Sequence, residues 1–553
     1  MRHGGRILAD QLARQGVRRV FSVPGESYLA LLDGLYDSGI ENIVCRQEGG
    51  AAMMAEAMGK MTGTPGVALV TRGPGATNAA SGVHVAMQDG TPMLLLVGQI
   101  ARGDRDRGAF QEVDYRAMFG GLAKWVAEVD QTDRIPEYIS HAFHVATSGR
   151  PGPVVLALPE DMLSETADVP DLDAVAPRAD AVAPETVAAI IADLTQAERP
   201  MIFVGGSVWS QDTARDLARF AGAQGVPVAV DFRRLAHIDN RDPAYAGELG
   251  IGANPKLVAR LQNADLLLVL GARLGDIATE GYTRLRPGQP GPRLIHVHPD
   301  PAEPGHVFRP DRIVTASVPA VIAALARSNA PAPARGDSLL KAARSEYEGW
   351  IAPRETPGTV KLERVIGWLS ANMPDQAILT NGAGNYAGFI HRYFTFKRYG
   401  SLLSPTSGSM GYGLPAAIAA KLEHPDRMVV AVAGDGCLQM TVTEMSTAAQ
   451  YGAAVVVIVA NNGRYGTIRM HQEREYPGRV SGTDLFNPDF AALARAYGGH
   501  GEVVERDEDF AGAFERAVAS GKPAIIELRL DPEMLTPVQT VSGLRAEALA
   551  KQG

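Results

Sequence analysis

The residues best suited to chemistry lie in one stretch of the C-terminal third. An apolar run from Met428 to Ala433 ends in Gly434-Asp435-Gly436. A helix-like stretch from Gln439 to Tyr451 follows, and a second apolar run, Ala453 to Ala460, ends in Asn461-Asn462. Strand, crossover helix and parallel strand bring both strand ends to one sheet edge, so Asp435 and Asn462 are expected side by side. A carboxylate beside an amide oxygen is a hard donor set that suits Mg²⁺, whose octahedral oxygen shell is usually completed by phosphate and water. The backbone carbonyl of Arg464 offers a further oxygen, and the glycines let backbone N–H groups approach a phosphate closely. Taken singly, Gly-Asp-Gly reads as a turn and Asn-Asn as a strand end; their order favours a metal and phosphate site. Cys437, inside the same loop, reads as a small packing residue rather than a nucleophile.

Together, Gly434-Asp435-Gly436 and Asn461-Asn462 resemble the signature of thiamine diphosphate enzymes. In that family a glutamate hydrogen-bonds the aminopyrimidine ring, favours its imino form and so places a nitrogen to take the thiazolium proton, which is general base catalysis relayed through the cofactor. Ile43-Val-Cys-Arg-Gln-Glu48-Gly-Gly resembles the strand-to-helix turn carrying that glutamate, and Glu48 is the candidate. As an isolated residue Glu48 would read as a helix N-terminal acid facing the macrodipole. The family pattern has a His before the Glu, where this chain has Gln47. Likeness to the acetolactate synthase-like group covers nearly the whole chain. It includes Val70-Thr-Arg-Gly-Pro-Gly-Ala-Thr-Asn78, Asp89-Gly-Thr-Pro92, Ala109-Phe-Gln-Glu112, Arg150-Pro-Gly-Pro-Val154 and Ser407-Gly-Ser-Met410-Gly-Tyr-Gly-Leu-Pro415.

The resemblance implies roles. Met410 matches the large apolar residue that wedges between the two cofactor rings, although by position alone it reads as a core methionine before a helix. Phe110 and Gln111 correspond to residues lining the substrate approach, which with Glu48 and Met410 completes the implied catalytic set. Thiamine diphosphate would be held by Gly25, Asn78, Gly382, Asn385, Gly408, Met410, Gly434, Asp435, Gly436, Cys437, Asn462, Tyr465 and Gly466. Mg²⁺ would sit on Asp435, Asn462 and the Arg464 carbonyl. Glu48 of one subunit would meet Asp435 and Asn462 of another, hence a homodimer or homotetramer with active sites at the subunit interface. The implied reaction is that of a carboligase: a 2-oxo acid such as pyruvate loses CO₂ and the remaining unit adds to a second carbonyl. The alternative is a 2-oxo acid decarboxylase of benzoylformate type, or a lyase of 2-hydroxy ketones or 2-hydroxyacyl-CoA. Glu48, Asp435 and Asn462 occurring together argue against a non-catalytic binding protein.

Two regions depart from the biosynthetic acetolactate synthase pattern. His471 stands where a tryptophan shapes the pocket for the second ketoacid, and Gly275 and Ile277 replace an aspartate and an arginine near the flavin. These departures leave the acceptor open and make FAD a doubtful cofactor, while Gly205-Gly206, Arg273 and His298-Pro-Asp300 keep a nucleotide site or a vestigial one in play. Arg469, Glu473 and Arg474 read as either a pocket rim or a solvated charged face, and Glu444 as a support for the crossover helix.

Three α/β units must position these loops. In the first, strands are expected at Val20–Val23, Ile43–Arg46, Gly66–Thr71, Met93–Gln99 and Val154–Leu158; in the second, at Met201–Val204, Val226–Val230, Asp265–Leu270 and Leu294–Val297; in the third, at Ala377–Thr380, Met428–Ala433, Ala454–Ala460 and Ala524–Arg529. Linkers rich in Pro and Ala are expected at Asp168–Pro184 and Ala330–Arg335. The fold class is therefore α/β, with three doubly wound parallel-sheet domains: pyrimidine-binding (1–167), central (185–328) and diphosphate-binding (360–537). The tail after Pro537 is expected to be a helix or a loosely ordered cap.

At 553 residues, 46% hydrophobic and 21% charged, the composition is that of an α/β enzyme. A net charge of −9 with no concentrated basic stretch argues against nucleic acid as the main partner and leaves a small molecule. The longest apolar runs fall far short of the ~20 residues that span a bilayer, so no membrane segment is expected. Two cysteines, Cys45 and Cys437, make no disulfide framework and fit a cytoplasmic setting.

Overall fold

The computed structural model describes residues 1–176, 180–328 and 332–552. Residues 177–179 of the first expected linker and 330–331 of the second lie outside the described residues. Three six-stranded sheets form the frame, and every neighbouring pair of strands within them is parallel. Their strands are nearly continuous apolar runs, such as Met93–Gln99 and Val456–Asn461, because helices cover both faces.

The first sheet runs, edge to edge, Glu41–Val44, Arg19–Ser22, Gly66–Val70, Met93–Gln99, Pro153–Pro159 and Trp125–Glu128. The third runs Leu402–Leu403, Ile378–Asn381, Val429–Gly434, Val456–Asn461, Ala524–Arg529 and His500–Val504. Numbered along the chain within each sheet, both have the order 2-1-3-4-6-5. The middle sheet differs: Tyr245–Leu249, Val228–Asp231, Pro200–Val204, Leu266–Leu270, Arg293–His298 and Arg312–Thr315 give 3-2-1-4-5-6, the order of doubly wound dinucleotide-binding folds.

The first and third units share one core. Helix Glu48–Thr62 packs against helix Gly413–Glu423, and both are rich in Gly and Ala and buried nearly all round. Small residues also let helix Pro74–Asp89 approach helix Glu48–Thr62: a Cβ on Gly82 would lie 2.4 Å from the Cβ of Ala52. The stretch expected as one helix from Gln439 to Tyr451 is broken into a helical turn Asp435–Gln439, a 3₁₀ turn Val442–Glu444 and a helix Met445–Gln450. The tail forms helix Val541–Gln552, which packs back on helix Gly466–Glu475. No helix among the described residues is long and apolar enough to cross a membrane.

Candidate active site

Each half of the candidate site is built at the C-terminal edge of a sheet. In the first unit, strand Glu41–Val44 leads into helix Glu48–Thr62, whose N-cap Gln47 accepts from the N–H of Gly50 at 3.0 Å through its side chain. Glu48 is the first helical residue and half-buried. Its Oε2 accepts from Nδ2 of Asn78 at 2.9 Å, bringing two candidate residues together. A Cβ on Gly75 would strike Thr71 at 2.8 Å and one on Gly25 would strike it at 2.4 Å, so glycine at both positions lets these loops close on Thr71 beside Glu48. Gln111 has φ 65° and packs on the turn at Gly73, φ 59°, where a Cβ would lie 2.8 Å from its own. Phe110 projects beside it, 73% exposed. Burial, and next the Glu48 charge, raise the Tyr28 phenol pKa.

In the third unit Gly434 pairs with Ala460 in the ladder, so Asp435 and Asn462 leave adjacent strand ends, as the motif order requires. Asp435 is 3% exposed, and burial raises its pKa although Asn487 and backbone N–H groups of Gly436, Gly463 and Arg464 favour the charge. Arg464 bridges to Asp484, but the pairing uses the carbonyl of Gly463 and the N–H of Tyr465, leaving the Arg464 carbonyl out of the ladder. Among the described residues no Lys or Arg forms an ion pair with Asp435. A buried carboxylate without a cation, flanked by an amide and a spare carbonyl, fits Mg²⁺. No group of three His, Cys, Asp or Glu among the described residues could hold a metal, so this mixed oxygen set is the candidate.

Glycines let neighbouring segments pack closely here. A Cβ on Gly382 would lie 2.5 Å from Cys437 Sγ, and one on Gly436 2.5 Å from the ring of Tyr465. Cys437 is 2% exposed, accepts from the N–H of Gly411 at 3.2 Å and lies 3.4 Å from the Tyr386 hydroxyl, so its side chain packs. Asn385 accepts from Thr467 at 2.9 Å, joining the Asn381–Asn385 loop to the helix that starts at Gly466. Gly466 abuts Asn462, since a Cβ there would be 3.2 Å from Nδ2. Gly408, φ 66°, and Met410 lie in the turn before helix Gly413–Glu423, Met410 half-buried against the core.

Glu444 does more than support its helix. It is fully buried, accepts from the N–H groups of Arg46 at 3.1 Å and Gln47 at 3.0 Å, and so ties the third unit to the turn that presents Glu48. Burial, first of all, raises its pKa. Arg469 and Glu473 are not a solvated face. Glu473 is fully buried, paired with Arg545 of the C-terminal helix at 2.6 Å and approached by Arg469 at 3.6 Å. The Arg545 hydrogen bond, above other causes, lowers the Glu473 pKa to about 2. His471 and Arg474 occupy the exposed side of the same helix.

Residues 2–118, 187–325 and 382–528 match models for the N-terminal TPP binding, central and C-terminal TPP binding domains of thiamine pyrophosphate enzymes. The chain is 30% identical to the mitochondrial acetolactate synthase catalytic subunit of Saccharomyces cerevisiae, over 96% of this chain and 81% of that protein. This chain belongs to the acetolactate synthase-like family of thiamine pyrophosphate enzymes. It is also 29% identical to the acetolactate synthase isozyme 2 large subunit of Escherichia coli, covering 99% of this chain and all of that one. The Bacillus subtilis acetolactate synthase is 29% identical, over 96% and 93%.

A large cleft lies away from the candidate thiamine residues. It holds about 990 Å³ between the first and middle units and is lined by Gly206, Arg273, Ile277, His298 and Arg150 among others. Gly206, φ 78°, and Gly271, φ 75°, approach so closely at the switch point of the 3-2-1-4-5-6 sheet that a Cβ on Gly206 would lie 2.7 Å from the Gly271 carbonyl. Sequence reasoning missed Asn487, which bonds Asp435. The run Asn487-Pro488-Asp489 gives only a turn and helix-cap signal.

Proposed function

We propose that this chain is an acetolactate synthase-like carboligase that uses thiamine diphosphate and Mg²⁺ to decarboxylate a 2-oxo acid and add the product to a second carbonyl. The observation that carries the reading is that one chain holds both Glu48 at a helix start in the first unit and the Asp435, Asn462 and Arg464 oxygens at strand ends of the third, on sheets of identical strand order. When bound, thiamine diphosphate supplies the nucleophilic carbon and the electron sink. Asp435, Asn462 and the Arg464 carbonyl would hold Mg²⁺ against the diphosphate, while Gly382, Asn385, Gly408, Gly434, Gly436, the Cys437 backbone, Tyr465 and Gly466 frame it. Glu48, steadied by Asn78, would share a proton with the aminopyrimidine ring, and Gly25 would belong to that half of the site. Met410 would hold the cofactor bent, and Phe110 and Gln111 would line the substrate approach.

Within one chain Glu48 answers to Asn78 and Asp435 to Asn487, in two half-sites. Large apolar side chains stand exposed on both units: Leu29 63% and Phe110 73%, and Ile468 53%, Tyr476 66% and Phe486 100%. These surfaces support a homodimer or homotetramer in which two chains complete each site. In this reading residues 1–167 take the pyrimidine, 360–537 the diphosphate and 185–328 form the far wall of the cleft. Arg150 and Arg273 in that cleft would offer charge to the phosphates of a nucleotide, while Gly275 and Ile277, in place of an aspartate and an arginine, speak against FAD. Two buried free cysteines suit a cytoplasmic enzyme.

Incubation of the protein with thiamine diphosphate, Mg²⁺ and pyruvate tests the reading, with CO₂ and product identified and bound flavin scanned. Acetolactate is the expected product. His471, exposed where relatives of the biosynthetic type are expected to carry a tryptophan, favours one second reading: a decarboxylase or lyase acting on bulkier 2-oxo acids, 2-hydroxy ketones or 2-hydroxyacyl-CoA. Silence with pyruvate and turnover of one of these would replace the first.

A further inference from the structure

The segment Tyr476–Asn487 runs beside the diphosphate loop. The Leu485 N–H donates to the Gly463 carbonyl at 2.8 Å, and the Tyr465 N–H to the Thr483 carbonyl at 2.8 Å, so its second half is pinned along the metal-side turn. At the end of that half, the Asn487 amide nitrogen reaches Asp435 Oδ2 at 2.7 Å and Asn461 Oδ1 at 2.9 Å, while its oxygen accepts from Gln439 at 2.7 Å. The amide orientation is forced. An ionised Asp435 only accepts, and Asn461 Oδ1 already accepts from the Gly463 N–H at 3.1 Å, so nitrogen must face both. The other Asp435 oxygen accepts from the Gly436 N–H at 2.9 Å, and Asn461 donates to Glu527 at 2.8 Å. Asn487 is thus one side chain that touches the carboxylate leaving one strand end and the amide beginning the Asn-Asn pair at the next.

We propose that Asn487 is a positioning residue of the metal site: its amide fixes the Asp435 carboxylate plane and locks the Asn461-Asn462 turn beside it, presenting both to a divalent cation. This rests on Asp435 being the metal ligand. The physical reason is that a ligand whose remaining lone pair is held by a neighbouring donor does not have to be ordered when the metal binds, and loss of such partners typically costs about 10–100-fold in metal affinity. The amide is neutral, so it orients Asp435 without cancelling the charge that attracts the cation.

Calorimetric titration of thiamine diphosphate into cofactor-free protein over a series of Mg²⁺ concentrations reads binding without turnover. For Asn487→Ala, the Mg²⁺ concentration giving half-maximal cofactor binding is expected to rise about 10–100-fold, with the thermal midpoint of the cofactor-free protein nearly unchanged. Asn487→Asp keeps the shape but replaces a donor by a second carboxylate, and distinguishes lost orientation from lost packing. It should bind at least as weakly as Asn487→Ala. Asp435→Ala separates the proposal from the reading beneath it. If Asp435→Ala abolishes Mg²⁺-dependent binding while both Asn487 variants titrate like the parent protein, the role of Asn487 is overturned alone. If Asp435→Ala also titrates like the parent, the metal assignment falls with it.

Discussion

The first and third units have the same strand order, yet they hold each other by opposite electrostatics. In each, the crossover between the third and fourth strands carries a buried carboxylate that grips the loop after the second strand of the other. Glu444 accepts the N–H groups of Arg46 and Gln47 beside Glu48. Asp89 accepts the Thr406 N–H at 2.6 Å, in the loop leading to Met410. Glu444 does this without an ion pair among the described residues, and burial raises its pKa. Asp89 faces the same penalty of burial, but Lys60 and Arg234 outweigh it and hold its pKa below the ordinary value. Lys60 pairs with both Asp89 and Glu56, and Arg234 donates to the Asp89 carbonyl from the middle unit at 2.9 Å. Equal topology fixes where a clamp can sit; the neighbours decide whether it is charged.

The comparison can be broken most strongly at the carboxylate that Glu444 positions. Glu48→Gln should lower kcat by about 10²–10⁴-fold, the range for losing a general acid–base group, while thiamine diphosphate binding measured by calorimetry stays close to that of the parent. At the charged clamp, Asp89→Asn leaves Lys60 with one buried partner instead of two, and a loss of about 3 kcal/mol in denaturant unfolding is expected. A loss no larger than that of Glu444→Gln would mean the two clamps are energetically alike.

A third test uses Glu473, whose grip on the C-terminal helix has no counterpart in the first unit. Its folded pKa of about 2 lies below the ordinary 4.5, so the unfolded chain binds more protons between these values. The stabilisation is therefore present above about pH 4.5 and is lost as pH falls toward 2. Urea melts of the parent and Glu473→Gln should differ clearly at pH 6 and converge on acidification. The smallest effect is expected from Glu444→Gln, whose amide oxygen can still accept from the backbone, at about 1 kcal/mol.

Most central strands were legible as unbroken apolar runs, and Met93–Gln99 and Ala524–Arg529 fall at the expected residues. In the six-stranded sheets, the strands that sequence analysis missed are edge strands: Trp125–Glu128, Tyr245–Leu249, Arg312–Thr315, Leu402–Leu403 and His500–Val504. An edge strand is paired on one side and partly exposed, so residues such as Glu502 interrupt its apolar pattern, and Leu402–Leu403 is too short to show one.

Sequence alone determined the chemistry-bearing ends of strands. Asp435 and Asn462 follow apolar runs and Glu48 follows the short strand Glu41–Val44, and parallel crossovers leave such ends on one sheet edge whatever the details of packing. Only the tertiary structure decided what surrounds them. Asn487 lies 52 residues from Asp435 along the chain, and Glu444 lies 397 from Gln47. Contacts of that separation leave no periodic trace, because a hydrogen bond between two loops constrains only the residues that make it.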